Sequence, residues 1–198
     1  MTPFKLLTLE NQLTDRWLNY YEAVYQNHEH QLIHYHFVSR QADLTVNTLK
    51  QPLKAAAVGI FCLNQDASQV LLVKQFRLPL NDYIYGSPAG LIDPGETVEQ
   101  TIQREIQEET GYQHVTVQQI FKPSYSTPGI TDGAITQAIC VITDATPGKA
   151  HLEAAEALDA VWVDRQTAQS ILDHEKVSGR TQLLLWQWIN GGLTLPSF

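Results

Sequence analysis

Apolar residues are scattered through the first fifty positions and then, after Pro52, gather into runs of strand length. Positions 55–63 and 69–75 form two such runs, and the polar stretch 64–68 between them predicts a hairpin loop. Positions 115–121, 134–142 and 158–163 predict three further strands from their β-branched and apolar content. Ahead of Pro52, positions 31–40 read as a strand. The period becomes helical after Thr97, where Val98, Ile102 and Ile106 recur every four residues as a narrow apolar stripe. Thr97 suits an N-cap, Gly111 suits a left-handed residue closing the helix, and Asp93-Pro94-Gly95 reads as the turn leading in. Two more helices are predicted over 165–174 and 181–190, the second ended by Gly191-Gly192. Strands alternating with a few helices indicate an α/β sandwich with a mixed sheet rather than a doubly wound parallel sheet. A β-rich extension over 1–53 precedes the main domain, 54–198.

A chain of 198 residues can build one full core with an added element. Its formal charge of −8, without any basic run, excludes a nucleic-acid surface. No apolar run reaches bilayer length and the first residues lack the run of a signal peptide, so no membrane partner and a cytoplasmic location are expected. Cys62 and Cys140 fall inside strand runs and read as reduced core residues. His28, His30, His34 and His36 invite a zinc reading, but their spacing supplies no Cys or carboxylate partners. Trp17, Tyr20, Tyr21 and Tyr25 suit either base stacking or packing, and the pattern leaves both open.

The helix after Thr97 carries the chemistry. Glu105, Glu108 and Glu109 fall beside one another at about 100° per residue, with Glu96 just ahead. Like charges at such spacing repel and weaken a helix. A hard divalent cation turns that repulsion into binding, since Mg²⁺ takes carboxylate oxygens together with water and phosphates. Arg104 stands four residues before Glu108 and one before Glu105, where it can orient one carboxylate while the others bind metal. The pattern indicates a loop–helix metal site for phosphate chemistry.

Gly90, five residues, Glu96, seven residues, Arg104-Glu105, an aliphatic residue, any residue, Glu108-Glu109, any residue and Gly111 together resemble the complete signature of the Nudix hydrolase family. Only the last, usually aliphatic position departs, with Tyr112. The resemblance implies an α/β/α sandwich, Mg²⁺ or Mn²⁺ as cofactor, and hydrolysis of a nucleoside diphosphate linked to another group. In it Gly90, Glu96 and Gly111 are structural, while Arg104, Glu105, Glu108 and Glu109 are catalytic, the three glutamates also binding metal.

Further segments resemble the ADP-ribose pyrophosphatase branch of that family. Val73-Lys-Gln-Phe-Arg77 matches the strand whose arginine faces the substrate. Ser87-Pro-Ala-Gly matches the entry to the signature, which implies that the Ala89 carbonyl joins the metal shell. Ser126-Thr-Pro128-Gly129 matches a substrate-binding Ser-Pro-Gly, so Pro128 and Gly129 are candidate contacts. The branch takes a catalytic glutamate from the loop before the last strand; Glu156 fits that register best and Glu153 is the alternative. It also implies a homodimer assembled through the N-terminal extension. Gly86 and Gly133 stand where the branch usually has glutamates, which bears on substrate choice more than on hydrolysis. ADP-ribose, cleaved to AMP and ribose 5-phosphate, is the first expectation; another nucleoside diphosphate sugar, a dinucleotide, or non-catalytic nucleotide binding are the alternatives.

Overall fold

Two units, each with its own apolar cluster, divide the chain in the computed structural model, which describes residues 3–50, 54–152 and 156–193. The first comprises Met1–Ala56 and Pro123–Ile135, the second Ala57–Lys122 and Thr136–Phe198.

The first unit holds an antiparallel three-stranded sheet of β1 (Lys5–Thr14), β2 (Asn19–Gln26) and β3 (Leu32–Ser39). The sequence pattern predicts only β3. The pairing of β1 with β2 slips between Leu6 and Thr8 and again between Asn11 and Leu13. Each slip inserts a residue and reverses the alternation of faces, so no period of two survives in β1. In β2 the alternation is present: Asn19, Tyr21 and Ala23 are buried, and Tyr21 and Ala23 cluster with Phe37 and Leu44. Tyr21 is therefore a core residue, its Oη donating to Gln41 O at 2.8 Å and accepting Leu44 N–H at 3.1 Å. Tyr20 stacks on His36, and His34 Nδ1 lies 2.6 Å from Glu22 Oε1.

The second unit contains β4 (Ala57–Leu63), β5 (Gln69–Arg77), β6 (Asp82–Gly86), β7 (Ala89–Leu91), α1 (Val98–Thr110) and β8 (Val115–Ile120). After β9 (Ser124–Tyr125), which belongs to the first unit, come β10 (Ala134–Ile142), β11 (Leu158–Asp164), α2 (Arg165–His174) and α3 (Gly179–Ile189). The main strand order is β11-β5-β4-β10-β8, with β6 on β5 and β7 on β4. Most neighbours are antiparallel. Gly59 lies against Gln137 and Gln65 binds Thr143 O; these pairs share one offset, so β4 and β10 run parallel and the sheet is mixed.

Alternate residues of the central strands face opposite layers. Val58, Ile60, Cys62 and Leu71 pack with Ile102 and Ile106 of α1, whereas Phe61, Leu63, Val70 and Leu72 pack with residues of α2 and α3. This second unit is an α/β/α sandwich. Cys62 and Cys140 are both buried and unpaired in the layer beneath α1. No helix among the described residues is long and apolar enough to cross a membrane.

Candidate active site

The site begins where β4 and β5 part. They pair only through Cys62 with Leu71 and Leu63 with Val70, which frees the first residues of β4 to pair with β7. In that pairing Val58 faces Gly90 and Gly59 faces Ala89. The helix crossing β7 starts after the turn at Asp93 to Glu96, where Gly95 adopts a φ of 91°. Thr97 caps it, accepting Gln100 N–H at 3.3 Å, while Thr97 N–H donates to Gln100 Oε1 at 2.8 Å. This reciprocal cap is written in the sequence as Thr-x-x-Gln. Gly111 ends the helix at a φ of 78°, as its position predicts.

The stripe of Val98, Ile102 and Ile106 anchors α1 and turns its adjoining face onto β7. Glu105 and Glu109, one turn apart, are both buried there. Glu105 lies directly over Gly90, where no side chain stands in its way. Glu109 Oε2 accepts the Ala89 N–H at 3.1 Å. Glu108 sits at the rim with its side chain 43% exposed.

Arg104 ties these carboxylates to the preceding turn. Its Nε and Nη2 form a two-pronged contact with Glu96, each at 2.9 Å, and Nη2 also donates to Leu91 O at 2.9 Å. Nη1 reaches Glu105 at 2.7 Å and Glu108 at 3.0 Å. The fixed fork of a guanidinium suits such divided duty, which a lysine ammonium could not reproduce. Glu96 also accepts Thr101 Oγ1 at 2.8 Å and the Asp93 N–H at 3.2 Å, so it braces the loop.

Burial and charge set the protonation of the cluster. The Arg104 and Thr101 hydrogen bonds hold Glu96 down at about 2. Burial pushes Glu109 up to about 8; the Ala89 N–H opposes this, while the charges of Glu105 and Glu156 add to it. Glu105 is raised for the same first reason, with Arg104 pulling it back and Glu108 and Glu156 pushing it further up. A site that concentrates buried carboxylates against their own repulsion is a functional candidate on physical grounds.

Glu156, predicted from a distant part of the chain, therefore acts electrostatically on both Glu105 and Glu109. Arg77, exposed at the end of β5, acts on Glu109 in the opposite sense. Glu153 lies outside the described residues. Pro128 and Gly129 belong to the first unit, where Gly129 O accepts Tyr35 Oη at 2.7 Å. The sequence reading missed Gly148 and His151, whose N–H groups bind Gly111 O and Glu108 O, each at 2.8 Å. No local signal marks either residue. Tyr112, the one departure from the signature, is buried with its Oη accepting Trp162 Nε1–H at 2.8 Å.

Among the described residues no three acidic, cysteine or imidazole groups converge closely enough to hold an ion as they stand. Glu105 is drawn to Arg104 and Glu109 to the Ala89 N–H. The donor chemistry nonetheless fits a hard divalent cation. The available atoms are carboxylate oxygens, and burial raises two of these groups against ionisation, a cost that a divalent charge would offset.

Comparison with known proteins gives a consistent picture. A profile of the NUDIX domain matches residues 53–187. A Caenorhabditis elegans protein provisionally named nudix hydrolase 2 is 27% identical over 195 residues, covering 93% of this chain and 84% of the relative. The ADP-ribose pyrophosphatase of Bacillus subtilis (strain 168) is 31% identical over 123 residues, 61% of this chain and 64% of its own length. The crystal structure of an ADP compounds hydrolase superposes with a TM-score of 0.66 at 18% identity, over 97% of both chains, a likeness of fold.

Proposed function

Since the chain belongs to the Nudix family and is a Nudix hydrolase, we propose that it cleaves the diphosphate linkage of a nucleoside diphosphate derivative, with ADP-ribose as the first substrate. The observation that carries this reading is the burial of Glu105 and Glu109 against β7, under the added charge of Glu156. The Bacillus subtilis relative, an ADP-ribose pyrophosphatase by name, supports the choice of substrate.

Hydrolases of this family generally use divalent metal ions. Mg²⁺, with Mn²⁺ as its substitute, is the cation we propose, held by Glu105, Glu108, Glu109 and the Ala89 carbonyl. Bound there, such a cation would supply charge neutralisation for the diphosphate and lower the pKa of a water. Arg104 keeps Glu105 and Glu108 oriented, and the Ala89 N–H keeps Glu109 against β7. Arg77 supplies a positive charge for a phosphate oxygen. Glu156, or Glu153 in its place, takes the proton of the attacking water. One new P–O bond forms, the bridging P–O bond breaks, and AMP and ribose 5-phosphate leave. Such a reaction asks the protein mainly for positioning and charge stabilisation. Pro128 and Gly129 keep the substrate-contact role that the resemblance implies.

A second reading, another nucleoside diphosphate sugar or a dinucleotide as preferred substrate, draws on Gly86. A Cβ there would meet nothing nearer than Ser178 Oγ at 3.9 Å, so the position has room for a side chain that this protein lacks. Phosphate released from ADP-ribose, nucleoside diphosphate sugars and dinucleotides, after phosphatase treatment and with Mg²⁺ or Mn²⁺, ranks the candidates. Absence of hydrolysis across the whole panel would overturn the proposal and favour nucleotide binding without cleavage.

We also propose a homodimer. Leu13, Trp17 and Leu32 of the first unit are each more than half exposed, an amount of apolar surface that suits an interface. Sedimentation as a monomer at micromolar concentration would count against it.

A further inference from the structure

Three consecutive residues are tied to three different elements. Ser87 N–H donates to Thr181 Oγ1 of α3 at 2.9 Å, Ile60 N–H of β4 donates to Pro88 O at 2.8 Å, and Ala89 N–H donates to Glu109 Oε2 of α1 at 3.1 Å. Thr181 is 3% exposed and shares with Leu185 and Trp188 the face that buries α3. Trp188 Nε1–H also donates to Ala67 O at 3.2 Å, so this helix is held at more than one point. The Thr181 hydroxyl has no spare capacity. Besides the Ser87 N–H it accepts the Ser178 Oγ–H at 2.9 Å, which leaves its own proton for Ser87 Oγ at 3.2 Å. Ser178 is the N-cap of α3, yet its side chain makes no cap hydrogen bond. A serine there ordinarily accepts a backbone N–H of the first turn. Here its hydroxyl orients Thr181 instead.

We propose that Thr181 is a positioning residue for the metal site: through Ser87 it holds Ala89 in place, both the N–H that meets Glu109 and the carbonyl offered to the cation. The inference rests on the hydrolase reading above and adds to it an uncharged residue from the helix layer opposite α1. The link is short and continuous. Only Pro88 stands between Ser87 and Ala89, and its ring fixes φ, so one of them has few ways to move without the other. Ala89 faces Gly59 where β7 pairs with β4, but β7 is three residues long and its own ladder gives it little stiffness. A tie at its start therefore decides where the strand lies. Groups behind a metal ligand fix its orientation and so tune the affinity.

The test compares two variants of the full chain. Thr181→Val keeps the shape and removes the hydroxyl, whereas Thr181→Ser keeps the hydroxyl. Thr181→Val is expected to lower kcat on ADP-ribose and calorimetric Mn²⁺ affinity by about tenfold each, with KM within about twofold of wild type, as for loss of a group that supports a metal ligand. Thr181→Ser should restore both to within about threefold, because serine offers the same donor and acceptors. Amide hydrogen exchange of the metal-free protein supplies a readout without turnover. In Thr181→Val the N–H groups of Ser87 and Ala89 should both exchange about tenfold faster or more, while those of β10 keep their rates. Acceleration at Ser87 alone, or equally at all sites, would show a purely structural hydroxyl and overturn the proposal. So would a folded Thr181→Val with wild-type kcat and Mn²⁺ affinity. Should Thr181→Val fail to fold, Ser178→Ala, which removes the donor that orients Thr181, decides by the same measurements. A wild-type enzyme that cleaves no diphosphate overturns the hydrolase reading instead, and Mn²⁺ affinity and amide exchange still decide the positioning role.

Discussion

Gly90 and Glu105 occupy complementary space: a Cβ built on Gly90 would lie 1.7 Å from Glu105 Oε1 and 1.8 Å from its Cδ. The glycine is therefore a seat for the carboxylate. Gly90→Ala must swing Glu105 off β7, which a flexible side chain can do at little cost to folding. We expect Mn²⁺ affinity and turnover to fall by about tenfold or more, as for loss of an oriented ligand, with the thermal midpoint little changed. Calorimetric titration beside thermal melts checks this; unchanged affinity would mean that Glu105 binds no metal in its seated position.

Charge removal gives a complementary expectation. Glu105→Gln and Glu109→Gln each delete an anion proposed to hold the cation, while the core stripe of α1 remains. Turnover should drop on the order of a thousandfold, since such a metal contributes several kcal/mol to the transition state. Near-wild-type rates in both variants at saturating Mg²⁺ would remove the metal site from the mechanism.

Stability without metal should depend on pH through Glu109. Its folded value of about 8 lies above the value of an unfolded carboxyl, about 4.3. Between the two the folded state holds a proton that the unfolded state has lost. Stability is therefore fully present below the lower value, declines as pH rises, and levels off above 8, with a limiting slope of about 1.4 kcal/mol per pH unit. Denaturant midpoints of the metal-free wild type should fall from pH 5 to pH 8 more steeply than those of Glu109→Gln. Parallel curves would show that Glu109 is not the group responsible.

Tyr112 and Trp162 form a part-buried polar link between the end of α1 and β11. Trp162→Phe leaves the tyrosine hydroxyl without its donor, and we expect a loss of about 1 kcal/mol, the usual net value of such a bond. Tyr112→Phe should cost a similar amount, and the double variant less than the sum. Additive losses in urea denaturation would show the bond to be energetically idle.

Arg104→Lys keeps the charge and loses the fork. Because Arg104 serves Glu96, Glu105 and Glu108 together, the lysine variant should lose about tenfold in kcat as the carboxylates drift from their orientation. Wild-type kcat in this variant would confine Arg104 to a bracing role.

Much of the second unit is legible in the sequence. Strand runs, the stripe at Val98, Ile102 and Ile106, the caps at Thr97 and Gly111 and the clustering of Glu105, Glu108 and Glu109 depend on residues within a turn or two of one another. Local spacing and local sterics suffice for such features, and the signature that unites them is a statement about one loop and one helix. In the first unit the same logic failed for β1, because its bulges erase the alternation that marks a strand.

Contacts between distant residues were decided only by the tertiary structure. That β7 takes the place beside β4 which β5 vacates, that Glu105 rests on Gly90, that Gly148 meets Gly111, and that Tyr112 finds Trp162 all depend on how strands and helices stack. The protonation of Glu109 belongs to the same class. Its sequence neighbours foretell repulsion, but the rise to about 8 comes first from burial against β7, an environment assembled from segments far apart in the chain. The sequence alone determined which groups share one helix face; packing determined how dry that face is and what stands opposite, because desolvation and close contact exist only once the chain has folded.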